Sequence, residues 1–369
     1  MIIKYNIANQ VHKVIIKNNN ICENIIKDLK FYQSDNRLLL VYDKRISKDL
    51  VNNLKKEFKI HGVKYHAIGI LGGKANKDKK FLFKIISKLS QLEFSRKSAL
   101  VSFGGGVVGD VVGLAASLYM RGLIYFHIPS TMMAIMDSCI GGKTAINFDN
   151  RINLVGNYYH PKAVYISNQV IKKIPQREYL SGFAEAIKCG IIGDNKILNI
   201  IKKNTDILFK KNFNILKSVL YRVLKVKINH FIKDVFENNK RLILNFGHTF
   251  AHAIESALMD EKVKFDLNHG QAVGVGILCE MYYAGVKKSY YLDIKKMLIT
   301  LNLPTKLILP KEINKTLFRK KVYKNLFLDK KKISNYPRYI FINNKNNLPE
   351  IKELSNLNKI DEVIHKFII

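Results

Sequence analysis

The sequence predicts an α/β domain over residues 1–172, followed by a mostly α-helical domain over residues 173–369. Up to Ile166, short apolar runs of strand character alternate with amphipathic helical segments. This alternation is typical of a mostly parallel sheet that is flanked by helices. After Pro175 the apolar residues recur almost entirely with helical spacing. At about 150 residues per domain, the length of 369 residues fits two domains.

In the first domain, residues 1–20 predict a β-hairpin with Lys17–Asn20 as its loop. The elements that follow are strands of continuous apolar character and helices with one apolar face. We expect strands at Arg37–Tyr42, Val63–Ile70, Ala99–Phe103, Gly122–Ile128 and Val164–Ile166, and helices at Asn24–Phe31, Ser47–Phe58, Asp78–Leu92 and Val111–Tyr119.

In the second domain the spacing predicts six helices and little strand. The helices are expected at Arg177–Ile192, Lys196–Phe209, Ile215–Val235, Leu244–Leu258, Gly270–Ala284 and Asp293–Leu301. Strand character is confined to Tyr339–Asn343 and Leu307–Ile308.

The chain is strongly basic, with 62 Lys and Arg against 29 Asp and Glu and a formal net charge of +33. The lysines are spread along the chain and interleaved with Asn and Ile, without a basic tail or an aromatic-basic repeat. This pattern favours a compositional drift over nucleic-acid binding. The four cysteines form no CxxC pair, which favours reduced thiols in a cytoplasmic protein. We expect neither a signal peptide nor a membrane-spanning helix.

A glycine-rich turn, Gly104–Asp110, joins the Ala99–Phe103 strand to the next helix. Gly104, Gly106 and Gly109 fit the G-x-G-x-x-G pattern of a Rossmann-like dinucleotide-binding domain, in which the helix start receives a phosphate. The alternative is a glycine-rich helix–strand contact without a ligand. The following strand ends without the acidic residue expected for a ribose, so Asp43 is the better candidate for that role.

The segment Gly141–Thr144 resembles the end of a P-loop, but Asp137 stands where the first glycine would be required. The sequence therefore argues against this kind of ATP site. Asp137 and Lys143 remain candidates for a carboxylate and an ammonium lining one pocket, or for a turn with a surface ion pair.

Two histidines, His248 and His252, are four residues apart on a predicted helix, so they share one face. Such pairs are often ordinary core or surface residues. His269, at the start of another helix, and Glu185, on an otherwise apolar helix face, add two further candidate ligands. Two His and one Glu with an open position form the pattern of catalytic zinc. The metalloprotease signature HExxH is absent, because Thr249 follows His248.

Most lysines of so basic a chain are expected to be solvated. Lys188 differs because it lies one turn from Glu185 on a helix whose mostly apolar sequence predicts that it is buried. Arg241 closely precedes the His248 helix, and its guanidinium suits a phosphate or carboxylate.

Taken together, these segments resemble the 3-dehydroquinate synthase family from about Leu38 to Lys331. The resemblance rests on several long motifs in the right order: SFGGGVVGDVVG, YMRG, IPSTMMAIMDSCIGGKTAIN, PQREYLSGFAEAIKCGII, LNFGHTFAHAIE and LNHGQAVGVG. It implies an enzyme that uses NAD and a divalent metal, usually zinc, and commonly forms cytoplasmic homodimers. The implied reaction converts 3-deoxy-D-arabino-heptulosonate 7-phosphate into 3-dehydroquinate and phosphate, through transient oxidation, phosphate elimination, re-reduction and aldol closure.

The resemblance also implies roles for individual positions. Glu185, His248 and His269 would hold the metal, and His252 would contact substrate and relay protons. NAD would contact Lys77, Gly105, Gly106, Val107, Val108, Gly109, Asp110, Ser130, Thr131 and Lys143. The substrate would meet Asp137, Lys143, Asn153, Lys188, Lys227, Arg241, Asn245 and, at its phosphate, Arg121, with Glu237 orienting the site and Lys330 or Lys331 as a further anion contact.

The sequence departs from the family pattern at Lys74, Arg151-Ile152, Lys173, Ala251 and Gln271. These positions lie outside the implied metal ligands, so we expect effects on cofactor affinity and turnover. Two other functions stay open at this point. One is a related NAD- and metal-dependent sugar phosphate cyclase or polyol dehydrogenase, and the other is a basic protein that uses this fold to bind anionic polymers.

Overall fold

A computed structural model of the chain describes residues 1–32, 35–149, 151–261, 263, 265–328, 336–343 and 348–369. The chain divides into two compact units, Met1–Pro175 and Gln176–Ile369. Among the helices of these residues, none combines the length and the apolar character that a membrane crossing requires.

The N-terminal unit contains nine strands in the residues that the structure describes. They are β1 Ile2–Ile7, β2 Gln10–Lys17, β3 Arg37–Asp43, β4 Lys64–Ile70, β5 Ala99–Gly104, β6 Ile124–Pro129, β7 Lys143–Phe148, β8 Arg151–Tyr158 and β9 Ala163–Ser167. Seven of them form one sheet in the order β1-β2-β9-β6-β5-β3-β4, in which only β1 and β2 pair antiparallel. The predicted mostly parallel sheet is confirmed.

Helices cover both faces of this sheet. They are α1 Cys22–Tyr32, α2 Lys48–Ile60, α3 Lys79–Gln91, α4 Gly106–Leu118 and α5 Asn168–Lys173. Alternate residues of β3 enter different cores: Leu38 and Leu40 pack with α1 and α2, whereas Leu39 and Val41 pack with α3 and α4. Successive side chains of a strand point to opposite faces, so a strand buried on both faces is apolar throughout.

The first hairpin turns at Ala8–Asn9, where both residues have positive φ, 45° and 61°. The predicted loop at Lys17–Asn20 is wrong, because Lys17 ends β2 and the chain continues into α1. Two consecutive residues of positive φ make the tight turn whose twist matches two antiparallel strands. Glycine or asparagine usually marks the first position of such a turn, and here that position is Ala8, so the turn is hard to predict from the sequence.

Two features around the glycine-rich turn also differ from expectation. Helix α4 begins at Gly106 rather than at Val111, so the glycines form its first turn. The segment predicted to resemble the end of a P-loop instead opens an antiparallel hairpin of β7 and β8. Most of β8 is exposed on both faces, so the alternation of apolar and polar residues that reveals a strand is missing.

The C-terminal unit is mainly helical. In the described residues it contains α6 Gln176–Ser181, α7 Phe183–Ile192, α8 Lys196–Lys203, α9 Thr205–Phe209, α10 Phe213–Phe231, α11 His248–Met259, α12 His269–Tyr283, α13 Lys288–Thr300, α14 Lys315–Leu326 and α15 Leu357–Phe367. Strands β10 Arg338–Ile342 and β11 Pro349–Glu353 pair antiparallel. An α/β unit followed by a mostly helical one confirms the predicted fold class.

Three helix boundaries of this unit correct the sequence prediction. The single helix expected at Arg177–Ile192 breaks at Gly182, and the one expected at Lys196–Phe209 breaks at Asn204. The helix expected from Leu244 starts only at His248, because Gly247 adopts φ +79° and ends the preceding 3-10 turn. The periodicity of apolar residues continues across each break, which hides it in the sequence. Helices α14 and α15 and strand β11 were not predicted, and Leu307 forms only an isolated bridge with Ile368.

A buried polar group lies beneath the first turn of α4. The Nδ1 atom of His127 is 2.6 Å from the Ser102 hydroxyl, which is 2.9 Å from the Tyr125 hydroxyl. Tyr125 donates a hydrogen bond of 3.0 Å to the Gly109 carbonyl, and a Cβ on Gly109 would lie 3.0 Å from the His127 ring. The glycine at this position therefore allows helix α4 to pack directly against the His127 imidazole.

We expect this histidine to make the protein less stable in acid. Burial lowers the pKa of His127 from 6.5 to about 3, so between these values the unfolded chain binds a proton that the folded chain does not. Stability should rise with pH in that window, by up to about 1.4 kcal/mol per pH unit. Urea unfolding at pH 6.5, 5.5 and 4.5 should give a flatter dependence for His127→Gln than for the wild type. Parallel dependences would contradict this assignment.

Candidate active site

Three side chains that the sequence singled out converge in the helical unit. Glu185 comes from α7, His248 is the first residue of α11 and His269 is the first residue of α12. One potential ligand atom of each lies within 4.8 Å of those of the other two. A cluster of two imidazoles and one carboxylate is the ligand set of a catalytic divalent metal, which keeps further positions for substrate or water.

The two histidines meet because α11 and α12 pack backbone against backbone. A Cβ on Gly276 of α12 would lie only 1.9 Å from the Gly247 carbonyl oxygen, so a side chain has no room there. Gly247 also has φ +79°, a conformation that glycine adopts without strain. The His248 and His269 ring centroids are consequently 5.3 Å apart.

Both histidines are oriented by acceptors at their Nδ1 atoms. Nδ1 of His248 is 3.1 Å from the Phe246 carbonyl oxygen, and Nδ1 of His269 is 3.0 Å from a Glu255 carboxylate oxygen. Since these partners only accept, Nδ1 carries the proton in the neutral form of each imidazole, and the lone pair is on Nε2. Nε2 of His248 points toward Glu185, 3.5 Å from its Oε1. Sequence reasoning assigned no role to Glu255, although this residue ends the motif LNFGHTFAHAIE, one turn beyond His252 on α11.

Glu185 is fully buried, and neither carboxylate oxygen has a hydrogen-bond partner of suitable geometry among the described residues. Its close ionic neighbour is the Lys188 ammonium, 2.5 Å from Oε2, as their spacing of one helical turn predicted. Lys188 in turn donates to the Leu244 carbonyl at 2.7 Å. The Lys188 ammonium offsets the cost of burying this carboxylate, while its Oε1 faces the His248 imidazole, where a bound cation would stabilise it further. The residues present therefore fit a divalent metal.

His252 lies beside this cluster but outside the three-residue set. Its ring centroid is 5.2 Å from that of His248 and 6.1 Å from that of His269, and the residue is exposed. Spacing alone had made His248 and His252 a ligand pair. The structure instead groups His248 with Glu185 and His269.

A cavity opens next to these histidines. It is lined by Leu242, Asn245, His248, Thr249, His252, Arg338, Tyr339, Ile340 and Ile351. The Asn245 amide donates a hydrogen bond of 3.0 Å to the Glu237 carboxylate, so these two predicted residues lie together. The contribution of β10 was not foreseen, because nothing in its sequence distinguishes it from an ordinary strand.

The loop before α11 is shaped by Asp234, another residue that sequence reasoning missed. Its carboxylate accepts hydrogen bonds from the backbone N–H groups of Asn238, Asn239 and Arg241, at 2.7–3.0 Å. Burial disfavours the ionised carboxylate, but these hydrogen bonds outweigh it and lower the pKa of Asp234. The Arg241 side chain is buried, donates to the Val235 carbonyl and lies over the Phe231 ring.

The sequence predicted two further contacts for anionic groups of the substrate in this unit. Lys227 is buried on α10. Lys330 and Lys331 lie outside the described residues.

In the N-terminal unit the glycine-rich turn forms a tight cradle at the start of α4. A Cβ on Gly105 would lie 2.9 Å from the Thr131 methyl group, and one on Gly106 would lie 2.9 Å from the Ser138 hydroxyl. The Ser130 N–H donates to the Gly104 carbonyl at 2.9 Å, which fixes the loop after β6 against the turn. Backbone N–H groups of a helix start, approached without side chains, fit the pyrophosphate of a dinucleotide.

Five predicted side chains gather near this turn. The Lys77 ammonium is buried and contacts carboxylate Oδ2 of Asp110 and amide Oδ1 of Asn153. Burial raises the pKa of Asp110, Lys77 and Lys143 oppose the rise, and Asp137 adds to it. The structure therefore brings Lys77, Asp110, Asp137, Lys143 and Asn153 into one charged group.

The remaining predicted positions of this unit have other surroundings. Asp43 binds the Arg45 guanidinium through both carboxylate oxygens, at 3.1 and 2.7 Å, so its carboxylate already has a cationic partner. Burial disfavours the ionised form of Asp43, but the Arg45 contacts outweigh burial and lower the pKa of Asp43.

Val107 is half-buried in the first turn of α4, and Val108 is fully buried in the core. Arg121 is exposed within three consecutive residues of positive φ, Met120–Gly122.

Known proteins are similar to this chain in sequence and in fold. Residues 67–181 match the model of the 3-dehydroquinate synthase N-terminal domain, and residues 182–332 match that of its C-terminal domain. A 3-dehydroquinate synthase of Ruminiclostridium cellulolyticum is 33% identical over 318 residues, 85% of this chain and 85% of the relative. One of Pelagibacter ubique is 34% identical over 314 residues, 85% of this chain and 83% of the relative.

Two solved structures show the same fold at lower identity. 2-epi-5-epi-valiolone synthase of Streptomyces hygroscopicus, with NAD+ and Zn2+ bound, has a TM-score of 0.83 at 20% identity and covers 96% of each chain. 2-deoxy-scyllo-inosose synthase, complexed with carbaglucose-6-phosphate, NAD+ and Co2+, has a TM-score of 0.81 at 20% identity and covers 100% of each chain.

The α/β unit with a glycine cradle and the helical unit with a Glu-His-His cluster give this chain the fold of these two synthases. Within that fold class, the chain belongs to the 3-dehydroquinate synthase family. The activity of the family is the phosphate-eliminating cyclisation that supplies the shikimate pathway and aromatic amino acid biosynthesis.

Because α11 and α12 meet at a glycine, we expect Gly276→Ala to destabilise the protein strongly. The new Cβ would overlap the Gly247 carbonyl, and the backbones would have to separate, at a cost of about 1–3 kcal/mol or more. Gly274→Ala, in the same helix, is the matched control, since the atom nearest to its Cβ would be Leu298 Cδ2 at 3.4 Å, a van der Waals contact. Urea unfolding of both variants should separate them clearly. Equal free energies of unfolding would contradict the close contact of the two helices.

Proposed function

We propose that this chain acts as a 3-dehydroquinate synthase with one NAD and one divalent cation, zinc or cobalt, as its cofactors. The observation that carries this proposal is the cluster of the buried Glu185 carboxylate with His248 and His269, whose potential ligand atoms lie within 4.8 Å of one another. The solved relatives with NAD and Zn2+ or Co2+ support the same choice of cofactors.

The substrate is 3-deoxy-D-arabino-heptulosonate 7-phosphate. When bound, NAD accepts and returns a hydride, and the metal polarises substrate oxygens and stabilises developing negative charge. The protein residues then have to bind the anionic substrate, orient it and move protons at stated atoms.

In the helical unit, the metal ligands are Glu185, His248 and His269, through Nε2 of both imidazoles. The Lys188 ammonium balances the charge of Glu185, 2.5 Å away. His252 is exposed beside the cluster, so its imidazole can exchange protons with a bound substrate or solvent. Asn245 and Glu237, joined by a hydrogen bond, orient the substrate, while Arg241 and Lys227 supply positive charge for its anionic groups.

In the N-terminal unit, the dinucleotide phosphates bind at the backbone of Gly105, Gly106 and Gly109, with Val107 and Val108 in the same turn and Ser130 and Thr131 beside it. The ion pair of Lys77 and Asp110 lies at this helix start, and Asp137, Lys143 and Asn153 belong to the same charged group. Arg121 is exposed and cationic, which suits the substrate phosphate. Because Asp43 is already paired with Arg45, a ribose hydroxyl would donate to a carboxylate that is held in place.

We also propose that the enzyme is a cytoplasmic homodimer. The support for the cytoplasm is that the four cysteines are buried and far apart in the sequence, without a CxxC pair. The dimer is proposed from the family resemblance, and light scattering of the purified protein tests it.

The central test is phosphate release from the heptulosonate phosphate, with and without NAD and with and without a chelator. We expect release only when both NAD and metal are present. His269→Ala should lower bound metal and activity together, by about 100-fold or more in affinity, because one of the three side chains that bind the metal directly is lost. His365→Ala, an exposed histidine of the same unit, is the control and should retain both. A His269→Ala variant with full activity and no metal would refute the ligand assignment.

The departure at Ile152 gives a second test. Ile152 is an exposed apolar residue on β8, directly before Asn153, at a position where the family usually has lysine. Ile152→Lys adds a cation near the charged group around Asp110, so we expect tighter NAD binding or faster turnover. Unchanged NAD affinity together with unchanged turnover would mean that the site works independently of a cation at this position.

A further inference from the structure

We propose that Glu280 is a positioning residue, which holds the first turn of α11 so that His248 faces the metal. Glu280 lies on α12, eleven residues beyond His269, and is fully buried. It belongs to none of the motifs that carried the family resemblance. Its carboxylate contacts α11 and β10.

The Glu280 carboxylate replaces the capping side chain that α11 lacks. The N-cap of α11 is Gly247, which has no side-chain oxygen to accept the free N–H groups of the first turn. Oε1 of Glu280 accepts a hydrogen bond of 3.2 Å from the Thr249 N–H, and the Gly247 N–H donates to the same carboxylate. These donors flank His248 on both sides in the sequence. Burial raises the pKa of Glu280 to about 8, whereas the N–H groups of Gly247, Ile340 and Thr249 favour the ionised carboxylate and oppose that rise.

The same carboxylate fixes the neighbouring strand. Its Oε2 accepts a hydrogen bond of 3.3 Å from the Ile340 N–H of β10. The Thr249 hydroxyl donates to the Arg338 carbonyl at 3.0 Å, which is a second link between α11 and β10. Because both elements line the cavity beside His248 and His252, Glu280 ties the metal-binding helix to the cavity wall.

The backbone contacts favour a carboxylate at this position. The N–H groups of Gly247, Thr249 and Ile340 all donate, so a group with two acceptor oxygens satisfies them at once. A glutamine of equal size would direct its NH2 group at one of these N–H groups. The result would be a buried clash of two donors at the base of α11, and His248 would lose its fixed direction.

This inference rests on the proposed metal ligands, and the experiment separates the two. Apoprotein of the wild type, Glu280→Gln, Leu278→Ala and His269→Ala is titrated with Zn2+ against a chromophoric chelator. The spectrum of the Co2+-loaded protein and the thermal unfolding of the apoprotein are recorded in parallel. Leu278→Ala is the matched control, because it removes buried packing from the same helix without removing a hydrogen bond.

We expect Glu280→Gln to weaken Zn2+ binding by about 10–100-fold and to change the Co2+ spectrum. Leu278→Ala should lower the unfolding temperature and keep the wild-type affinity and spectrum. If Glu280→Gln does not fold, Glu280→Asp takes its place, since it keeps the charge but is one methylene too short for all three N–H groups. Aspartate should then weaken metal binding in the same direction.

Wild-type affinity and spectrum in the Glu280 variant would overturn the positioning role, as would an equal loss of affinity in Leu278→Ala. If the wild type binds no Zn2+, or if His269→Ala binds it normally, the proposed ligand set fails instead.

Discussion

The candidate active site depends on the contact between α11 and α12. At Gly247 and Gly276 the two backbones meet without an intervening side chain, which brings His248 and His269 together at the two helix starts. A metal–nitrogen bond is about 2.0–2.1 Å long, so a small change in helix spacing would move one imidazole out of reach. The two glycines therefore contribute to the site through the close packing of α11 and α12.

The charges of the cluster suit an anionic substrate. The Glu185 carboxylate and the Lys188 ammonium lie 2.5 Å apart and balance each other's charge, and the two histidines would bind a metal as neutral imidazoles. A divalent cation would therefore leave the buried cluster with two net positive charges. Such a surplus attracts the phosphate and carboxylate of a sugar acid, whereas the +33 charge of the whole chain is spread over its surface lysines.

The sequence predicted the alternating unit, the helical unit and the three clustered ligands, because these depend on local apolar periodicity and on long motifs. It could not predict contacts between segments far apart in the chain. Glu255 and Glu280 resemble ordinary helical residues until His269 and Thr249 are found beside them. Helix breaks such as Gly182 were hidden for a related reason: the apolar pattern continues through them, and only the backbone turns.

The most direct test of the account is metal-edge X-ray absorption of the protein loaded with one equivalent of Zn2+. If Glu185, His248 and His269 hold the ion, the spectrum should show two imidazole nitrogens and a carboxylate oxygen at about 2.0–2.2 Å, completed by solvent oxygen. A sulfur ligand at about 2.3 Å, or a third imidazole from His252, would contradict it.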